Sequence, residues 1–472
     1  MTELPPDRAS GSSIEETHNR RDLVAIRHCA TGDAIPPALQ GRSPRLAALA
    51  GLVRRPVAAV HQAWCLLWFQ NASTMPLEIA RAGIGALLLV HYCWATPRLF
   101  EFWTDAGWMP LWVAMQWNNP GLSLFFYFTA PWQLVAFHIF FLLCCLAFMV
   151  GWRTSWVKWV LYIGKLSYDY RNQVLPYGAD LVLSCLLLIF CLAPVGRAMS
   201  LDRVRAVRAA KRGDLTATVP PYSSPWAGAC IRMMQIQMAV IFFYTGVSKI
   251  KWDAWRNGDA LWLVLSSFDY YNRVYVDILA HHYWIGIVGT YATIFIELAY
   301  PFLIWQRRTR PYLLAAAIFL HLQFALFLSL IYFSFVMIMG HMSFLDPDWL
   351  HRLGAWWKRR NGGMEMIYDG RCGFCVRSMA WLLAFDGLGQ IRIRDFRSNP
   401  SPLVSDAQLE QALYAVLPDG RALPGFDAYR HVVLRVPGLW WLVPLFYVPV
   451  VSRLFGRPTY RWIAANRSRL SA

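Results

Sequence analysis

From residue 79 onward the chain is a succession of apolar runs separated by polar stretches, and no other feature limits so tightly what it can fold into. A bilayer-spanning helix needs about 20 predominantly apolar residues. Such runs stand at 79–97, 132–150, 179–194, 228–247 and 284–305. A weaker one, 155–170, holds Lys158 and Lys165. A last stretch, 312–345, is too long for one ordinary span, barely long enough for two, and lacks a clear turn in its middle. Composition agrees: 57% of residues are hydrophobic and 15% charged, against about 25% charged in an ordinary soluble domain. The 24 Trp and 21 Tyr suit headgroup-level rings. The reading is a polytopic α-helical membrane domain of seven or eight spans over 56–350.

The net charge of +17 is a matter of topology. Basic residues cluster at Arg42, Arg45, Arg54 and Arg55, at Arg153 and Lys158, over Arg197–Arg212, and over Arg307–Arg310, whereas 98–131 is aromatic and nearly free of Lys and Arg. The positive-inside rule puts the N-terminus in the cytoplasm and 98–131 outside, which requires 155–170 to cross. The expected location is a bacterial cytoplasmic membrane. Residues 1–54 are polar, with no apolar core for a secretory signal, and read as a disordered cytoplasmic tail. Residues 56–70 are too short to span and read as interfacial. The basic residues are dispersed over loops, which argues against a nucleic-acid partner. The partners expected are the lipid bilayer and a dithiol or disulfide compound or protein.

Residues 362–472 change character. MEMIYD reads as a strand, CVRSMAWLLAF as a helix, and QIRIRDF as an alternating strand. ALYAVL and RALPGF flank the turn Pro418-Asp419-Gly420, and 427–435 can be a helix. The apolar stretch LWWLVPLFYVPVVSRLF, with two prolines, reads as a buried helix pair. This order, β-α-β, hairpin, α, predicts a small thioredoxin-like α/β domain. Of ten cysteines, eight are scattered, most of them in apolar runs; the other two form Cys372-Gly373-Phe374-Cys375 at the start of the predicted helix. Unpaired N–H groups and the helix dipole at that position favour thiolate. Cys372 is the expected attacking sulfur and Cys375 the resolving one. Half of a zinc site and an inert structural pair are the alternatives; with no second CxxC, no metal is expected.

Tyr368-Asp369-Gly370-Arg371-Cys372-Gly373-Phe374-Cys375 resembles the strand-Asp-Gly-x-Cys-x-x-Cys pattern of the DCC family of thiol–disulfide oxidoreductases. Pro418-Asp419-Gly420, Gly425-Phe426-Asp427-Ala428, and Tyr460, Ala464, Asn466 and Arg467 extend the similarity over 364–468. The resemblance implies dithiol redox chemistry on a thioredoxin-like fold. Asp369 is a candidate proton acceptor or a brace for the turn.

Ionisable and polar groups inside spans are functional candidates by default. They are Arg81, Arg171, Asn172, Asp180, Arg232, Gln235, Gln237, Lys249, Glu297 and His321. Helix–helix glue is the alternative for each, and a pairing of Arg171 with Asp180 is expected. Arg171, Asn172, Asp180, Glu297 and His321 are the candidate substrate-binding set. Tyr244, Gly246, Val247, Lys249, Trp255 and Gly258, with Arg171-Asn172, Gly178, Asp180, His321, Phe333-Ser334, Phe344-Leu345, Pro347 and Trp349, resemble the HTTM domain shared with vitamin K-dependent gamma-carboxylases. The resemblance covers roughly 76–350. It implies that Lys249 is the base acting on a quinol, with Cys372, Cys375 and Asp369 completing the catalytic candidates. The carboxylases' histidine before the fourth span has no counterpart in Tyr170-Arg171-Asn172-Gln173.

Three readings follow: dithiol exchange coupled to a membrane quinone or other lipid-soluble partner; carboxylase-like modification of a peptide or small molecule by Lys249; and transport through Glu297, His321 and Arg81. If 312–345 crosses once, the dithiol faces outward. If it crosses twice, the dithiol faces the cytoplasm, which the basic Lys358-Arg359-Arg360 favours.

Overall fold

The computed structural model describes residues 59–117, 122–128, 130–210, 223–267 and 273–466. The tail 1–54 and Arg467 lie outside the described residues. The chain divides into two units, 1–72 and 73–472. In the first, a helix α1 (59–68) is exposed over most of its surface, Trp64 and Leu67 included.

The second unit begins with the bundle. Its helices are α2 (Met75–Ala95), α3 (Pro131–Val150), α4 (Thr154–Arg171), α5 (Gly178–Leu192), α6 (Leu201–Ala210), α7 (Pro225–Ile250), α8 (Tyr283–Leu303), α9 (Arg310–Phe327) and α10 (Ile331–His341). Start signals match the chemistry. Pro131 and Pro225 hold first helical positions, where no N–H is needed. Ser224 Oγ accepts the Ala227 N–H at 3.0 Å. Five helices, starting at Met75, Pro131, Pro225, Tyr283 and Arg310, are long and apolar enough to cross a membrane. The shorter α5 and α10, and the more polar α4, pack among them.

The stretch 312–345 does contain a turn, without Gly or Pro to announce it. Ser329 adopts φ +55°, and the N–H groups of Leu328 and Leu330 both donate to Phe324 O, at 3.1 and 3.2 Å. The left-handed residue reverses the chain, so α10 returns along α9 and packs on α2 and α5.

Polar clamps define one end of the bundle. The Arg81 guanidinium donates to Phe148 O, Met149 O and Met199 O and pairs with Glu78, whose Oε1 accepts the Arg197 N–H at 2.7 Å. Asp202 receives the N–H groups of Arg153 and Thr154 at 2.9 and 2.8 Å. Trp226 Nε1 donates to Leu192 O at 2.8 Å. The start of α2, the end of α3, the segment holding α6 and the start of α7 therefore lie together, at the end that carries the basic loops. At the opposite end, Asn172 Nδ2 and Arg171 donate to Phe102 O and Met109 O at 2.8 and 2.9 Å.

A helix α11 (Pro347–Asn361) leads to the C-terminal domain: β1 (Met364–Tyr368), α12 (Gly373–Phe385), β2 (Ile391–Asp395), β3 (Tyr414–Val416), β4 (Ala422–Pro424), α13 (Gly425–Arg435) and α14 (Arg457–Ala465). The sheet order is β2-β1-β3-β4. β1 pairs parallel with β2 (Met366↔Ile393) and antiparallel with β3 (Met366↔Ala415), and β3 with β4 (Ala415↔Leu423). Alternation along β1 sends Met364, Met366 and Tyr368 into a core with Met379, Ala380, Val432 and Val433, and Ile367 into a second core with Phe396, Val404 and Leu409. The expected thioredoxin-like order is present. Val204 of α6 enters the first core. The domain thus docks on the bundle end that carries the basic loops.

The segment after α13 departs from expectation. It forms short helical turns over 437–456 rather than a buried pair, and Val448, Val450, Leu454 and Phe455 are exposed. Prolines at 437, 444 and 449 interrupt the hydrogen-bond ladder, so no single helix can turn all its apolar side chains inward.

Candidate functional site

The dithiol segment sits at the carboxyl end of β1. Gly370 N–H donates to Asp395 Oδ1 at 2.9 Å, drawing the turn against the end of β2. A Cβ at position 370 would lie 2.3 Å from Asp395 Oδ2, so only glycine fits that approach. Asp369 braces the turn: its Oδ1 accepts the Arg371 N–H at 3.0 Å, and Arg397 donates to both its carboxylate oxygens at 3.2 and 3.3 Å. Of the two roles open for Asp369, this geometry supplies the structural one.

Cys372 is the N-cap of α12, and its Sγ accepts the Cys375 N–H at 3.4 Å. The sulfur therefore sits where the helix presents unpaired N–H groups, which stabilise negative charge. Cys372 is half-buried and Cys375 is 4% exposed. The outer sulfur is thus the more accessible of the two. Beneath them, Ser378 Oγ hydrogen-bonds Tyr429 Oη, and the Tyr429 ring lies 6.1 Å from that of Tyr460. Burial pushes the Tyr429 hydroxyl well above its usual range, so it stays protonated and neutral. No sequence signal pointed to Tyr429. Ser378, one turn past Cys375, was detectable by spacing alone.

Inside the bundle the candidates fall into two groups. Lys249 Nζ donates to both Glu297 oxygens at 2.8 Å. One face of α7 runs from Lys249 past Gly246, which packs on Glu297 and Leu298, to Phe242. The Phe242 ring stacks on Tyr300 at 4.1 Å and touches His341 at 5.3 Å and His321 at 5.9 Å. His341 Nδ1 shares a 2.7 Å hydrogen bond with Tyr300 Oη. Both nitrogens of His321, Nε2 of His341 and Ser334 Oγ are buried with no hydrogen-bond partner among the described residues. His321 is thus not satisfied as helix–helix glue. Tyr300 and His341 were not anticipated; the apolar surroundings of His341 hid it.

The second group corrects a sequence expectation. Asp180 does not pair with Arg171, because the Arg171 guanidinium is taken up by Met109 O while the Asp180 carboxylate, in the first turn of α5, faces α4. Its partner is Lys165, at 2.9 Å, which also holds Asp169 at 2.6 Å. Tyr332 Oη donates to Asp180 at 3.3 Å, and the His91 ring stacks on Tyr332 at 4.3 Å. The i,i+4 spacing of Lys165 and Asp169 within an apolar run was the available clue. Arg171 and Asn172 instead tie down the 99–117 segment.

The dithiol and Lys249 do not form one site. The domain docks at the end where α7 begins, whereas Lys249 lies 24 residues further along α7, roughly 36 Å at ~1.5 Å per residue. Among the described residues no group of three or more His, Cys, Asp or Glu is arranged to hold a metal ion.

Comparison with known families agrees with this division. The HTTM domain model matches residues 69–349, and the DCC1-like thiol-disulfide oxidoreductase model matches 366–472. No curated protein and no solved structure matches the chain. The chain belongs to the HTTM domain family, as an integral membrane protein that carries a DCC1-like thiol-disulfide oxidoreductase domain at its C-terminal end.

Proposed function

We propose that the protein performs dithiol–disulfide exchange at Cys372 and Cys375 on the cytoplasmic membrane surface, coupled to a quinone-type partner held in the bundle. The observation that carries the first part is the placement of Cys372 Sγ at the N-cap of α12 with Cys375 buried behind it. Cys372 attacks a disulfide, one sulfur of the partner leaves as thiolate, and Cys375 displaces the other to close the Cys372–Cys375 bond. The partner gains two electrons and the pair loses two, which the reduced, quinol form of the bundle's partner would return with two protons; the oxidised quinone draws them off in the reverse sense. The cytoplasmic assignment is supported by docking of the domain on the end carrying Arg153, Arg197 and Arg203.

The bundle part is supported by the buried polar atoms that lack partners. His321 and His341, with Ser334, offer donors and acceptors to the two oxygens of a quinone ring, and Phe242, Phe324 and Phe333 flank His321 with flat apolar surface. A quinone exchanges two electrons and two protons, the same count as a dithiol. His321 and His341 would hold its oxygens, and Tyr300 would fix the His341 ring through Nδ1. Lys249 commits two of its three donors to Glu297, an arrangement that supports a bracing role over a base or a transport path.

The test is the redox state of the pair in reconstituted full-length protein, read by alkylation of the reduced thiols. Added ubiquinone or menaquinone analogue should shift the pair toward the disulfide, and His321→Ala with His341→Ala should abolish the shift without altering exchange with a small disulfide. A pair indifferent to quinone removes the bundle part. A pair that exchanges with no disulfide removes the first part.

A further inference from the structure

Residues 449–465 run as consecutive helical turns through a short π segment into α14. One side of this helix is bound to the redox domain. Gly456 is buried against Leu445 O and the Phe426 ring, and the Tyr460 hydroxyl lies at Gly425. The other side is open. Val450, Leu454, Phe455 and Trp462 are 65%, 64%, 61% and 60% exposed. With about 100° per residue in the α turns and a smaller angle through the π turn, these four fall on one apolar face. Arg453, Arg457 and Arg461, all exposed, line one flank of that face. Large exposed apolar side chains bordered by arginine are the composition of a helix lying in a membrane interface, with rings and branched chains below the headgroups and guanidinium groups at phosphate level.

We propose that the 449–465 helix lies in the headgroup layer of the bilayer on the side where the redox domain docks, its apolar face in lipid and its arginines on anionic headgroups. Two observations select lipid over a second copy or a protein ligand. The three arginines match anionic phosphate, and there is no acidic residue between 428 and 472 to complement them in a copy of the same face. The domain is also tethered, since its core includes Val204 from the bundle, so its surface stays within reach of the bilayer. The Tyr460 ring of this helix meets the Tyr429 ring, whose hydroxyl bonds Ser378 in the turn behind the dithiol. If the exchange reading above holds, the consequence is that the pair works at headgroup level, and its disulfide partners are membrane-bound or lipid-soluble.

The test uses the full-length protein in nanodiscs containing phosphatidylglycerol, with the photocrosslinking residue p-benzoylphenylalanine at position 455. Illumination should give an adduct with the mass of one phospholipid, and the same residue at Glu410, an exposed polar position, should give none. Arg453→Glu, Arg457→Glu and Arg461→Glu together should cut the lipid adduct about tenfold or more. An adduct with a second polypeptide, no adduct, or equal lipid adducts at 455 and 410 each overturns the proposal. None of these readouts depends on the cysteines, so failure here is distinguishable from failure of the exchange chemistry.

Discussion

Lys249 and Glu297 sit on different helices, join through two 2.8 Å hydrogen bonds, and are 20% and 8% exposed at the side chain. If the pair is a brace, it obeys the energetics of a buried ion pair. Removing one partner strands the other charge and costs about 3–5 kcal/mol, whereas replacing both by apolar residues of similar volume is close to neutral. Lys249→Met alone and Glu297→Met alone should therefore each destabilise the bundle by about that amount, and the double variant by less than ~1–2 kcal/mol, a coupling of several kcal/mol. For a domain approaching this size, at about 2–4 °C per kcal/mol, each single variant should lose on the order of 10 °C of melting temperature. Thermal unfolding in mild detergent, followed by loss of monodisperse protein, measures all four members of the cycle. Additive effects, or single variants that melt with the wild type, would refute the bracing role and return Lys249 to the list of reactive groups.

Other consequences follow from particular contacts. Gly370→Ala pushes a methyl group into Asp395, so the redox domain should lose about 1–3 kcal/mol and its thiols should react more slowly with a small disulfide; an unchanged rate would separate the turn from the chemistry. Asp386, half-buried at the end of α12, accepts the N–H groups of Gln390 and Ile391, yet burial holds its carboxyl above the usual range. The folded protein then binds that proton more readily than the unfolded chain, so the contribution is fully present below about pH 4 and is lost as pH rises through the folded value. Asp386→Asn should flatten that part of the unfolding midpoint's pH profile, and an identical slope in both proteins would contradict the assignment. A cysteine introduced at the exposed Glu410, with native thiols removed, should react with an impermeant maleimide only from the cytoplasmic side. Labelling from outside would invert the orientation.

The parts of this molecule that were legible in the sequence are those set by periodicity and local chemistry. Apolar runs bounded by Pro131 and Pro225 gave helices, and the β-α-β, hairpin, α order gave the sheet, because a strand period of two and a turn such as Pro418-Asp419-Gly420 are local signals. The dithiol was legible for the same reason. Tertiary choices were not. The Ser329 reversal carries no glycine or proline. Asp180 had two nearby cations to choose from, and only helix packing decides that Lys165 meets it. His341 and Tyr300 become neighbours of His321 only once α10 folds back along α9. The exposed side chains of 448–455 were misread as buried because an apolar run looks the same whether it faces a core or the surface.

The most direct examination of the exchange chemistry is to purify the Cys375→Ser protein from membranes under acid quench and look for covalent partners by non-reducing mass spectrometry. With its resolving sulfur gone, Cys372 should be found in mixed disulfides that collapse on adding dithiothreitol, and Cys372→Ser should carry none through Cys375. A Cys375→Ser protein whose Cys372 is entirely unmodified, or one in which both single variants accumulate the same adducts, would show that the outer sulfur is not the attacking group.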